Sequence, residues 1–216
     1  MTACGSTEEP KKDDTKVENV ENKEEVKKEE PKGEHFESDL SSGNYIAGKD
    51  LPAGTYNLTA TGGSGNVSSS NMFDGGMNEV MGTPADEYTI ETFNGLKLKD
   101  GDVLSLSGTI ALHLVSDDAL VSALKPREVS DTTPVDLQPG NYTAGTDFPS
   151  GYYNIVATGN SGNVNTIGES LDEFYVNEIL GIEEDGYTIH QFNNAHLADG
   201  TQLQLGTSVQ LVPVGE

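Results

Sequence analysis

The sequence has one cysteine, no tryptophan, and only 12 lysines and arginines against 36 aspartates and glutamates, for a formal net charge of −24. Each scarcity excludes something. A lone cysteine permits no internal disulfide and no cysteine-based metal cage. Scarce positive charge argues against nucleic acid, whose phosphates are bound by displacing counterions with Lys and Arg. It argues equally against electrostatic docking on anionic lipid. No apolar run reaches the ~18 residues that a membrane-spanning helix requires. The composition is that of a surface protein kept soluble by its own charge.

The single cysteine stands near the start. Thr2-Ala3-Cys4-Gly5-Ser6 resembles the end of a bacterial lipobox, a pattern cut just before a Cys that then carries lipid, so Cys4 is expected to be lipidated. Residues 5–39 follow with 13 Asp or Glu, 7 Lys and hardly any apolar residues. A segment of that kind buries too little surface to offset its ordering entropy and is expected to be a disordered tether.

Behind it the chain repeats itself. Gly43–Val67 aligns with Gly140–Val164 at an offset of 97, with 17 identities in 25 positions. The second copy then gains two residues. At the new offset Asn78-Glu79 meets Asn177-Glu178, Tyr88-Thr89-Ile90 meets Tyr187-Thr188-Ile189, and Asp100-Gly101 meets Asp199-Gly200. A unit of about 75 residues is a small domain rather than a solenoid repeat.

Inside each copy the apolar residues alternate with period two on short segments between turn signals, as in Tyr56, Leu58 and Ala60 or Ile110, Leu112 and Leu114. This predicts an all-β fold: two tandem β-sandwich or jelly-roll-like domains with six or seven strands each. The expected boundaries are a tether at 1–39, domains at 40–117 and 139–216, and a linker at 118–138 with a helical turn near Asp118–Leu124. Asp100-Gly101 and Asp199-Gly200 predict hairpin tips, and the loops at Gly63–Asn66 and Asn160–Asn163 predict hairpin geometry too. Gly76–Gly82 and Leu171–Gly181 have room for a short helix. In Pro52-Ala53-Gly54 and Pro149-Ser150-Gly151 the glycines are expected to supply positive φ.

The run Gly43-x-Tyr45-x-Ala47-Gly48-x-Asp50-x-Pro52-x-Gly54-x-Tyr56, with Leu98–Gly108, resembles a domain of uncharacterised Gram-positive cell-surface lipoproteins. Gly140–Tyr153 and Leu197–Gly206 resemble it again. The resemblance implies an anchored, extracytoplasmic protein and no particular chemistry. The second copy departs from the pattern at Ser150, Tyr152 and Thr201-Gln202, so its surface is expected to differ.

No catalytic set emerges. The histidines His113, His190 and His196 do not recur between copies, and a nucleophile needs a base beside it. His190 and His196 flank Phe192 and would need further ligands to hold a metal. Asp100-Gly101-Asp102 and Glu183-Glu184-Asp185-Gly186 lack the longer alternation of a calcium loop. The Gly-Ser-Gly-Asn loops lack the Lys and helix of a phosphate loop. Glu79 and Glu178 are notable for recurring, with hydrogen bonding as the leading role. Tyr45, Tyr56, Tyr88, Tyr142, Tyr153 and Tyr187 offer either core packing or aromatic platforms for glycan. The expectation is a non-enzymatic binding or structural module without cofactor or metal, with a cell-wall polymer, glycan or surface protein as partner. An extracytoplasmic hydrolase and an accessory subunit of a membrane complex stand as alternatives.

Overall fold

The computed structural model describes residues 32–128, 133–167, 175–183 and 185–215. Cys4 and the tether up to residue 31 lie outside the described residues. The first copy forms β1 (Glu34–Leu40), β2 (Gly43–Ile46), β3 (Gly54–Gly62), β4 (Ser64–Ser69), β5 (Asn78–Gly82), β6 (Thr92–Leu98), β7 (Val103–Leu106) and β8 (Ala111–Ala119). The second forms β9 (Val135–Leu137), β10 (Gly140–Thr143), β11 (Gly151–Ala157), β12 (Gly162–Ile167), β13 (Asn177–Leu180), β14 (Gln191–Leu197), β15 (Gln202–Leu205) and β16 (Val209–Pro213).

The strands of the first copy lie in the orders β1-β8-β3-β6 and β5-β4-β7-β2, and those of the second in the orders β9-β16-β11-β14 and β13-β12-β15-β10. The two orders are the same once each strand is matched to its counterpart eight strands on. Eight strands in two four-stranded sheets, with successive strands mostly sent to opposite sheets, is the jelly-roll arrangement. The all-β sandwich expected from the period-two pattern is what forms.

Each copy closes its sheets over its own core. Tyr56, Leu58, Val67, Leu96, Leu104 and Leu112 are among the buried residues of the first, and Tyr153, Ile155, Val164, Phe192, Leu203 and Leu211 are among those of the second. The alternation is visible strand by strand. In β3, Tyr56, Leu58 and Ala60 point inward while Asn57 and Thr59 face water.

Several local expectations are corrected. Asp100-Gly101 joins β6 to β7 and Gly63–Asn66 leads from β3 into β4, and in both cases the flanking strands belong to different sheets. These turns are corners rather than hairpins, as are their second-copy counterparts. A turn signal specifies local φ and ψ but not which strand will pair next. Among the described strands the consecutive pairs are β4 with β5 and β12 with β13. Gly76–Gly82, expected to have room for a short helix, carries β5, and of Leu171–Gly181 the described part carries β13, while 171–174 lie outside the described residues. The linker does hold one 3-10 turn, at Val121–Ala123.

The first domain also begins earlier than residue 40. Glu34–Asp39, grouped with the tether for their charge, belong to β1 and pair with β8. Phe36 packs edge-on against Tyr56, with ring centroids 6.4 Å apart, so one inward aromatic secures a strand whose other face is charged.

The two copies are also joined. Asn193 of β14 pairs in parallel with Gly43 of β2, so the second sheet of copy one runs on into the first sheet of copy two as eight strands. Asn193 N–H donates to Ser42 O at 2.9 Å, and its side-chain amide donates to Ser42 O and Ser41 Oγ. A Cβ on Gly43 would meet Asn193 backbone at close range, so only glycine lets the strands approach.

Candidate functional site

The repeated motif is the obvious place to look for chemistry, and almost every residue in it has a structural task. Tyr45 donates its hydroxyl to Ser41 O at 2.8 Å and Tyr56 to Pro52 O at 2.5 Å. Tyr142 and Tyr153 repeat this on Gln138 O and Pro149 O. Asp50 Oδ2 accepts the N–H of Ile46 at 2.8 Å, as Asp147 accepts that of Thr143 at 2.7 Å. Both carboxylates close the turn that follows the strand.

Gly48 and Gly145 are the left-handed glycines of this turn, at φ +88° and +79°. A Cβ at either would land on the carboxylate of Asp100 or Asp199, respectively. Gly54 has no positive φ, contrary to expectation, while Gly151 does, at +155°. Space dictates Gly54, because a Cβ there would sit 3.0 Å from Ala119 Cα.

The other sequence candidates disperse in the same way. Gly65 and Gly162 of the Gly-Ser-Gly-Asn loops let the backbone approach the turns at Ser107 and Gly206, which accounts for them without a phosphate. Asp102 Oδ2 accepts the N–H of Lys99 at 2.7 Å within its own corner. His190 precedes β14 and His196 stands near its far end, so the extended strand holds them apart and they do not converge. His196 stacks on Tyr152, with centroids 4.4 Å apart.

The recurring glutamates part ways. Glu79 is exposed. Glu178 is buried at the junction of the copies, where both carboxylate oxygens accept the N–H of Gly108, at 3.1 and 3.2 Å. Burial pushes its pKa above the usual Glu value, and the Gly108 hydrogen bond partly offsets this.

Of the six tyrosines considered as platforms, Tyr45, Tyr56 and Tyr153 are core residues and Tyr142 is half-buried. Tyr88 and Tyr187 are different, with 78% and 80% of their surface exposed. They occupy the same loop in each copy, and backbone hydrogen bonds tie the ends of that loop together. Ile90 N–H donates to Val80 O and Gly82 N–H to Ile90 O, both at 3.0 Å. Ile189 does the same with Ile179 and Gly181, again at 3.0 Å.

Inside the loop an aspartate side chain acts as a pin. Asp86 Oδ1 accepts the N–H of Tyr88 at 2.8 Å and the hydroxyl of Thr89 at 2.9 Å. Asp185 accepts the N–H groups of Tyr187 and Thr188 at 2.9 and 2.8 Å and the hydroxyl of Thr188 at 2.9 Å. These bonds, led by the tyrosine N–H, hold both carboxylates below the usual Asp range. Val80 and Ile90 in the first copy and Ile179 and Ile182 in the second are exposed as well.

The repeated Tyr-Thr-Ile was visible in the sequence, but the pinning role of Asp86 and Asp185 was not singled out. The signal for it was the Asp two residues before each Tyr, an Asx-turn spacing. Fold and loops together define a tandem jelly-roll protein that presents one pinned, outward aromatic ring per copy. No family model and no curated protein matches the chain.

Proposed function

We propose that this is an extracytoplasmic, lipid-anchored binding protein, held through Cys4, that engages an extended neutral polymer such as a cell-wall glycan. The observation behind this reading is the pair of solvent-facing rings, Tyr88 and Tyr187, each on a loop fastened by its own aspartate. An exposed aromatic on a pinned loop supplies contact area without the entropy cost of ordering a flexible one.

Charge narrows the ligand. Glu87, Glu91 and Glu183 flank the two loops in sequence, and the whole chain carries −24. A phosphate-bearing polymer would be repelled, whereas a sugar ring stacks on tyrosine through its apolar face. Two weak sites on one chain then gain avidity on a repeating ligand without any new contact.

The test is co-sedimentation of the protein with insoluble peptidoglycan and with neutral polysaccharides. Tyr88→Ala and Tyr187→Ala should each weaken binding, and the double variant should abolish it. Melting should stay unchanged, because neither ring is packed. Binding that survives the double variant would remove this reading. For the anchor, Cys4→Ala should release the protein from the detergent phase when it is expressed with a signal sequence.

A further inference from the structure

Away from the tyrosine loops, β1 and β8 bring two histidines and three carboxylates onto one exposed face. His35, Glu37 and Asp39 alternate on β1, and His113 and Asp117 lie across from them on β8. His35 Nδ1 lies 2.8 Å from Asp117 Oδ1, and His113 Nδ1 lies 2.8 Å from Asp39 Oδ1. A carboxylate only accepts, so in each pair the ring proton is on Nδ1. That leaves Nε2 with the lone pair on both rings.

Both Nε2 atoms lie 3.9 Å from the same atom, Glu37 Oε2. That is too long for a hydrogen bond. Glu37 Oε2 and the two Nε2 atoms are therefore near neighbours that share no hydrogen bond. The geometry points to a site for one divalent transition ion, Zn²⁺ in the first place, bound by His35, His113 and Glu37.

Two features support this beyond the donor set. An aspartate behind each imidazole is the arrangement that fixes the tautomer and raises the basicity of a metal-binding histidine. Bonds from zinc to imidazole nitrogen or carboxylate oxygen are about 2.0–2.2 Å long. Tetrahedral bonds of that length set donor atoms roughly 3.4 Å apart, so the 3.9 Å separations have to close by about half an ångström around an ion.

As they stand, no group of three or more His, Cys, Asp or Glu side chains among the described residues could hold a metal ion, so a ligand has to move. The movement required falls to Glu37, whose side chain is 63% exposed and free to swing. Two imidazoles and a carboxylate leave a fourth position for water. A bound ion would staple the edge strand β1 to β8.

Among the described residues the second copy carries no such set. Asp136 pairs with Gln210 in register as Asp39 pairs with His113, and the Gln210 amide donates to Asp136 Oδ1 at 2.9 Å. Pro134 stands two residues before Asp136, where the first copy has Glu37 before Asp39. One ion per chain is expected despite the duplication.

The second copy also suggests the variant. His113→Gln should keep the cross-strand hydrogen bond, and therefore the fold, while removing a ligand. Zn²⁺ is titrated calorimetrically into the full chain in a Cys4→Ala background, which removes the competing thiol, with NMR of the histidine ring signals as a second readout. One saturable Zn²⁺ site that perturbs His35 and His113 is expected. His113→Gln and Glu37→Gln should each weaken it at least about tenfold, and His190→Ala should leave it unchanged. Absence of saturable binding, or equal affinity in His113→Gln, would overturn the assignment.

Discussion

The two copies share a strand order and a motif, but they use the same aspartate in opposite ways. In the second copy Asp147 closes its turn and faces solvent. In the first, Asp50 closes the same turn and also binds the only arginine of the chain. Arg127 Nε lies 2.6 Å from Asp50 Oδ1 and Nη2 lies 2.9 Å from Oδ2. The two side chains are only 7% and 9% exposed. The same guanidinium lies over the Tyr152 ring, 4.1 Å from its centroid, and donates to Gly215 O at 3.3 Å. A turn that is self-sufficient in one copy has become, in the other, a socket for the linker. Tyr152, one of the departures from the motif, is the residue that receives the arginine from the second copy.

Removing that socket should give the largest effect. Arg127→Ala leaves the Asp50 carboxylate buried without its partner, and a broken buried pair costs about 3–5 kcal/mol. Chemical denaturation should register the loss. Asp147→Ala is expected to cost only about 1 kcal/mol, the worth of one hydrogen bond. Equal losses in the two variants would mean that the aspartates are interchangeable and the contrast false.

Glycine substitutions should next show where the copies are alike. Gly48→Ala and Gly145→Ala each force a side chain into left-handed backbone, at about 1–2 kcal/mol, and into an aspartate carboxylate besides. The two destabilisations should match within error in thermal melts of the full chain. A clear inequality would show that one turn yields where the other does not.

The smallest effect concerns the glutamates. Burial raises the pKa of Glu178, so the folded state holds its proton more tightly than the unfolded state does. Its contribution is fully present below the ordinary Glu value of 4.5 and is lost as the pH rises through the raised folded value. Between pH 4 and pH 7 the melting temperature of Glu178→Gln should therefore gain relative to the parent. Glu79→Gln, at the exposed equivalent position, should track the parent throughout. Parallel curves for all three proteins would show that Glu178 is not desolvated in solution.

The duplication and the inward alternation were legible in the sequence because both are local or self-referential: Tyr56, Leu58 and Ala60 announce a half-buried strand unaided. Strand pairing was not legible, since a jelly roll joins β1 to β8 and β3 to β6 across long stretches of chain. Asp100-Gly101 therefore looked like a hairpin tip when it is a corner. β1 was obscured because its outward residues are all polar or charged and only Phe36, Ser38 and Leu40 mark its inner face. The same charge hid the histidine cluster, whose members lie 78 residues apart between His35 and His113 and meet only through the β1–β8 register. The tyrosines were legible as candidates, but only burial could separate the ring that packs from the ring that points outward.

The parallel contact between β2 and β14 also has a consequence for valence. It is heterologous, so each copy owns one knob and one socket, and a pair joined this way leaves a knob and a socket unspent. The unspent knob is on copy one, where Asn94 and Glu79 stand exposed at the positions of Asn193 and Glu178. The unspent socket would be on copy two, and there it is altered: Gln138-Pro139 stands in place of Ser41-Ser42, so the Ser41 hydroxyl that receives Asn193 is missing. Heterologous contacts otherwise close into rings or run on as filaments. Blunting one terminus turns an open-ended polymerisation code into a chain of length two.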